Sequence, residues 1–168
     1  MALDKDEHVV ECRSVAEAVH DAGVITLITR ASEPFLTAGM VPRGAHINAA
    51  GAILPANAEF SQDILGRASL VVVDNVANAR KASRELIEHY GQDSRGWSGV
   101  RTIGELLDAG FSRPPDADIT LFKPMGMGLS DLAVAIIVFE RVRGSGIGQV
   151  LARGQRTTPQ WTAVQRLK

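Results

Sequence analysis

The sequence has 168 residues, 45% hydrophobic and 22% charged, and its 18 basic and 19 acidic side chains leave a formal net charge of −1. That length fits one compact domain with a sizeable core, and the even charge balance speaks against a dedicated nucleic-acid binder. The single cysteine, Cys12, excludes an internal disulfide and fits a reducing cytoplasm, acidic residues stand where a leader's apolar stretch would lie, and the longest apolar run, Leu132 to Phe139, is too short to cross a bilayer.

In chain order, Val9-Val10 is a short strand candidate, and Ser14 with Glu17 three residues on reads as a capping box opening a helix through His20. Val24 to Thr29 is a continuous apolar and β-branched run, the pattern of a strand buried on both faces. Gly44 to Ala50 is a further strand, Ser61 to Gly66 a short helix and Leu70 to Val73 another buried strand. Val76 to Tyr90 is helical, with Ala79, Ala82, Leu86 and Ile87 on one face. Ile103 to Leu107 makes a helical turn or two, Ile119 to Phe122 a strand, and Leu129 to Val142 a long, almost wholly apolar helix. Strands alternating with helices imply βαβ units: an α/β fold with a partial Rossmann-like, mostly parallel sheet and flanking helices. The expected division is a nucleotide-binding domain over 1–150 and a basic tail over 151–168, since no acidic residue follows Glu140.

Parallel sheets bind ligands at the carboxyl ends of their strands, so the segments that follow the strands carry the chemistry. Thr29 to Pro34 leaves the first buried run with small hydroxyl residues that allow close approach, although on spacing alone an ordinary loop exit with Pro34 fixing the turn is the better reading. Gly44-Ala45-His46-Ile47-Asn48-Ala49-Ala50-Gly51 is stripped of bulk, which permits either tight packing or a flat ring. His46 and Asn48 fall on one face of that strand, and a lone strand histidine is more often structural than catalytic. Four scattered histidines and one cysteine give no metal-ligand spacing, so no metal is expected. Lys123 to Asp131 joins a strand to a helix through a glycine-rich turn that could seat a small anion. Asp131 occupies the third-glycine place of a G-x-G-x-x-G, and no such fingerprint exists in the sequence, so capping is the better reading of that turn. Gly144 to Gly148 follows a helix and reads as its C-cap.

Thr29-x-Ala31-Ser32-Glu33-Pro34, Val41-Pro42-x-Gly44-Ala45-His46-Ile47-Asn48-Ala49-x-Gly51, Glu59, Val71 to Asp74 and Ile119 to Met127 with Asp131 occur in this order. Together they resemble the ornithine cyclodeaminase/μ-crystallin family, from about His8 to Gly148. The resemblance implies a Rossmann-type domain for NAD or NADP, with Thr29, Asn48, Ala49, Gly51, Lys123 and Met125 bordering the cofactor. It implies chemistry on an amino acid, keto acid or imine: reduction of imines, or deamination of ornithine. Three departures accompany it. Family members are about twice as long, and the glycine turn and substrate-holding Arg and Lys of their N-terminal half have no counterpart in this sequence. The cyclodeaminases carry a catalytic aspartate where this sequence has Ile53, which leaves the catalytic residues unassigned. The family's Lys-Ser pair reads Lys123-Pro124. The chain is therefore expected to be inactive by itself and to form a homo-oligomer or pair with a complementing chain that covers side chains such as Leu132, Ile136 and Phe139. A non-catalytic subunit and a small-anion module are the alternative functions; no nucleic acid or membrane partner is expected.

Overall fold

The computed structural model describes residues 9–149 and 151, and the chain divides into two compact units, residues 1–127 and 128–168. The first unit is built on a five-stranded, wholly parallel sheet in the order β1-β2-β5-β3-β4. Its strands are β1 (Val24–Leu27), β2 (His46–Ala49), β3 (Ala68–Val73), β4 (Val100–Thr102) and β5 (Ile119–Lys123). Between them lie α2 (Gln62–Arg67), α3 (Val76–Ala82), α4 (Arg84–Tyr90) and α5 (Ile103–Asp108), with α1 (Val15–Val19) ahead of the sheet. The α/β class and the parallel sheet follow the expectation from alternating strand and helix runs.

Strand alternation separates two chemistries. Ile25, Leu27, Ile47, Ala49, Val71, Val73, Ile119 and Leu121 share one core with Ile64 and Leu65 of α2, Ala79 of α3 and Leu86 of α4. The opposite face carries Thr26, His46, Asn48, Thr120 and Phe122, and the register sets Thr26 beside Asn48 and His46 beside Thr120. Ile103 and Leu106 of α5 border this second face.

At the amino ends of the strands, Arg67 closes the unit. Its guanidinium donates to both carboxylate oxygens of Asp118 (3.0 and 2.7 Å) and to the carbonyls of Ala38 and Val41. Asp118 in turn accepts the Gly44 N–H on its own carbonyl (2.6 Å). The Arg67 guanidinium holds the Asp118 carboxyl below the usual carboxylate range.

Four expectations need correction. Val9-Val10 forms no strand: both residues are exposed and unpaired, because two β-branched residues specify no partner. The run from Val24 is not buried on both faces; it is an edge strand with Val24 64% exposed, and Ile28 and Thr29 lie beyond its end. The strand expected from Gly44 starts at His46, since Gly44 takes a turn conformation (φ 85°). The helix expected over Val76 to Tyr90 is broken at Ser83, which leaves α3 with extended backbone and caps α4 through its side chain. The expected cap of α1 forms, with Ser14 accepting the Glu17 N–H, while the Glu17 carboxylate reaches the N–H of Arg13 and so closes no full box.

The second unit opens with α6 (Gly128–Val142), in which no residue is buried, and ends that helix at Gly144 (φ 83°), the C-cap the sequence announced. The basic tail expected over 151–168 lies, apart from Leu151, outside the described residues.

Candidate functional site

Three loops leave the carboxyl ends of β1, β2 and β5, and one buried acid joins two of them. Glu59 is completely buried. Its Oε1 accepts the N–H of Thr29 (2.6 Å) and the Thr29 hydroxyl (2.8 Å). Its Oε2 accepts the N–H groups of Gly51 (2.9 Å) and Ala52 (3.1 Å). The exits of β1 and β2 are therefore pinned to one carboxylate. Gly51 is required by this arrangement: a Cβ there would overlap the Thr29 backbone and Glu59 Oε1.

The network continues inward. The Glu59 N–H donates to Glu85 Oε1 (3.1 Å), and the Ser83 hydroxyl donates to Glu85 Oε2 (3.2 Å). Lys123, at the end of β5, is also fully buried; its ammonium donates to the Ala52 carbonyl (2.6 Å) and stands 3.8 Å from Glu85. Burial pushes the Lys123 ammonium below its ordinary value, and the Glu85 and Glu59 carboxylates offset only part of that. Two buried acids and one buried base thus fix three strand exits from beneath.

Beside them, Asp74 at the end of β3 accepts the N–H groups of Met125 (3.0 Å) and Gly126 (2.8 Å) on Oδ2. The glycine-rich turn after β5, where the sequence left room for an anion, has those two donors taken by the chain's own carboxylate. A hollow of about 350 Å³ opens at this end of the sheet, lined by Ile53, Pro55, Asn78, Lys81, Ala82 and Met125.

On the other face of the sheet a polar chain crosses the strands. His46 Nδ1 lies 2.8 Å from Thr120 Oγ1, His46 Nε2 lies 3.1 Å from Asn48 Oδ1, and Asn48 Nδ2 donates to Thr26 Oγ1 (3.4 Å). Both His46 nitrogens are thus engaged within the sheet, the structural role usual for a lone strand histidine. A second hollow of about 400 Å³ lies over this face, bordered by His46, Asn48, Val72, Leu106 and Phe111.

The six residues expected around a cofactor therefore separate by position. Thr29, Gly51 and Lys123 belong to the Glu59 network; Ala49 is buried on the core face; Asn48 faces the opposite side; Met125 is held by Asp74. Sequence reading gave Glu59 no role beyond a match and overlooked Glu85 and Ser83. The available signal was a lone acid between buried neighbours, Ala58 and Phe60. Among the described residues no group of acidic, histidine or cysteine side chains could hold a metal ion, and no helix is long and apolar enough to cross a membrane.

Comparison with known proteins joins this geometry to a family. The profile of the Ornithine cyclodeaminase/mu-crystallin family matches residues 1–146. Ketimine reductase mu-crystallin of Mus musculus is 34% identical over 130 residues, which is 77% of this chain and 39% of that protein. Alanine dehydrogenase of Archaeoglobus fulgidus is 34% identical over 143 residues, 79% of this chain and 41% of that protein. An archaeal alanine dehydrogenase dimer solved with bound NAD superposes with a TM-score of 0.63 at 32% identity, covering 76% of this chain and 40% of its own. Delta(1)-pyrroline-2-carboxylate reductase of Thermococcus litoralis, solved with NADH and L-proline, shares the fold at a TM-score of 0.70 and 24% identity, covering 82% and 43%. This chain spans about two fifths of the length of these relatives. It belongs to the ornithine cyclodeaminase/mu-crystallin family.

Proposed function

We propose that this chain forms the nicotinamide-side wall of an NAD- or NADP-dependent site that reduces imines derived from keto acids and amines. The observation that carries this reading is the Glu59 network, which fixes the exits of β1 and β2 at the carboxyl end of a parallel sheet, where such folds bind ligands. The residues suit a flat ring. Ala49, Ala50 and Gly51 carry little bulk, and Ile28, Ile53 and Leu54 expose apolar surface beside them. The names of the relatives, a ketimine reductase and reductases or dehydrogenases solved with NADH or NAD, support the same class.

In this reading Thr29, Gly51 and Met125 border the ring, Ala49 packs in the core behind them and Asn48 faces the other side of the sheet, and Lys123 serves from beneath by holding the Ala52 carbonyl in place. The bound dinucleotide supplies the hydride. Residue 53 has no proton to exchange as isoleucine, which favours imine reduction over cyclising deamination. The sequence holds no G-x-G-x-x-G, and the N–H groups of Met125 and Gly126 are occupied, so the pyrophosphate is held by residues outside this set. Residues 1–150 are accordingly one part of a Rossmann-type domain, and by itself the chain turns over no imine.

Titration of the ¹⁵N-labelled chain with nicotinamide mononucleotide tests the wall, with shifts expected at Thr29, Gly51 and Met125. Unmoved signals at these positions under saturating ligand would overturn the reading. Steady oxidation of NADH with a cyclic imino acid by the pure chain would overturn the inactivity. A second reading, a subunit that completes its sheet with another chain, is favoured by the open edge of β1, with Val24 exposed in the strand and Ile28 exposed just past its end. A stable monomer in light scattering would count against that second reading.

A further inference from the structure

In the second unit every residue of α6 from Gly128 to Arg141 is exposed, and apolar side chains lie on all sides of the helix. A helix that is apolar all round is one that neighbours cover. At about 3.6 residues per turn its side chains form two seams, each with the alternating three- and four-residue steps of helix–helix contacts. Leu129, Leu132, Ile136 and Phe139 form one; Asp131, Val134, Val138 and Arg141 form the other, on the opposite side. At the centre of this second seam Val134 and Val138 are 60% and 51% exposed. Asp131 stands at one end, in the first turn, and Arg141 at the other, in the last. Neither has an ion-pair partner among the described residues. Both pairs are placed symmetrically about Ile136. Turned end for end, the seam therefore presents Arg141 where Asp131 stood and Val138 where Val134 stood, the self-complementarity that a two-fold contact requires.

We infer that this seam is an interaction surface whose partner is α6 of a second copy of the chain, lying antiparallel across a two-fold axis. In that register Asp131 of each copy meets Arg141 of the other, and Val134 meets Val138. A parallel pair would set Asp131 against Asp131 and Arg141 against Arg141, and like charges at facing positions select against it. The valines supply the burial. The charges at the ends supply orientation and register, since exposed ion pairs add little affinity by themselves. The fifteen residues of α6 make a helix about 22 Å long, so the contact lies at the small end of specific interfaces and forms in proportion to concentration. The seam from Leu129 to Phe139 takes no part in this pair and is left for a different neighbour. The inference concerns the second unit and does not depend on the proposed function.

The experiment reads self-association of the full 168-residue chain by sedimentation equilibrium, for wild type, Asp131→Arg, Arg141→Asp and an equimolar mixture of the two variants. Either variant alone brings like charges together at both ends of the seam, and it should associate about ten-fold more weakly than wild type. In the mixture every arginine at these positions meets an aspartate of the other variant, and association should return to the wild-type strength as a one-to-one pair. A substitution that merely unfolds α6 is not rescued by mixing, so the rescue separates pairing from loss of the helix. High salt should narrow the gap between wild type and either variant, because the difference is one of charge. A variant that associates as tightly as wild type, a mixture no tighter than its components, or a gap that salt leaves unchanged overturns the inference. So does a wild-type chain that stays monomeric at the highest concentration reached.

Discussion

At the scale of single residues, the site rests on groups whose cost of burial is offset by one another. Gly51 is the simplest case. Any side chain there must displace the Thr29 backbone or the Glu59 carboxylate, and neither can retreat, because each is bonded to the other. Gly51→Ala should cost about 2 kcal/mol or more in the urea midpoint, the range of overpacking in a closed interior; a change within about 0.5 kcal/mol would mean that the exit of β2 is looser than described. Lys123 gives a pH dependence. Its folded-state pKa is depressed, so the unfolded chain binds more protons in the window between that value and the ordinary 10.5. Its contribution therefore rises as pH rises through this window. The stability difference between wild type and Lys123→Met should shift toward wild type as pH increases from 7 to 10, followed by denaturant midpoints; a flat difference would show that the ammonium is not held in the buried state. How far these residues were legible varies with the reason for their presence. Thr29 and Gly51 each stand in a run whose small side chains mark a strand exit, so pattern and resemblance singled them out. Glu59, Glu85 and Ser83 lie on separate segments and acquire meaning only when folding brings them together, and no periodicity encodes that meeting.

At the scale of elements, the sequence announced what depends on local pattern and concealed what depends on long-range contact. Val71 to Val73, Ile119 and Leu121 are apolar and buried inside the sheet, and both strands were evident. Two 3-10 turns, Ala38–Met40 and Ser94–Gly99, and the short strand β4 escaped notice, since three to six residues carry too little periodicity to read. The break at Ser83 also escaped, because the apolar face continues through it; the serine is there to cap α4 and reach Glu85. A signal was present at α5, where Thr102 and Glu105 form a complete capping box. Thr102→Ala should cost about 1 kcal/mol, read as a lowered thermal midpoint; no change would assign the start of α5 to its packing alone. The Arg67 bracket links α2, the 3-10 turn and the start of β5. Asp118 has a depressed pKa, so its stabilisation is present above the ordinary carboxylate value and lost as pH falls through the folded one. Both partners are less than a third exposed, and the Arg67 guanidinium also satisfies two carbonyls, so Arg67→Met should cost about 1–3 kcal/mol. The variant should also unfold at a higher pH than wild type during acid titration by circular dichroism, and coincident titrations would show the bracket to be idle.

At the scale of the molecule, the unusual feature is how much apolar surface and unpaired backbone the chain presents. β1 pairs only with β2 among the described residues, which leaves one edge free; Val24 in this strand is 64% exposed and Ile28, just past its end, 74%. Flat apolar edges template the addition of further strands, and natural proteins blunt them with charge, most often lysine. No lysine or arginine lies between Val24 and Thr29. In the second unit, seven large apolar side chains of α6 are exposed along fifteen residues, more than the polar face of a solvated helix would carry. A chain of this composition should associate as its concentration rises, and the two surfaces can be told apart. Val24→Lys changes an exposed position, so it should leave stability within about 0.5 kcal/mol of wild type. By blocking the edge of β1 it should lower the weight-average mass in light scattering across a concentration series. Ile136→Lys, on α6, tests the other surface in the same assay. If Val24→Lys restores a monomer and Ile136→Lys does not, the sheet edge drives assembly and the open side of β1 is where another strand joins. If the order is reversed, α6 is the contact and the edge is only tolerated. A wild-type chain that stays monomeric at every concentration would refute both, and would mean that neither the edge nor the helix is sticky enough to require a partner.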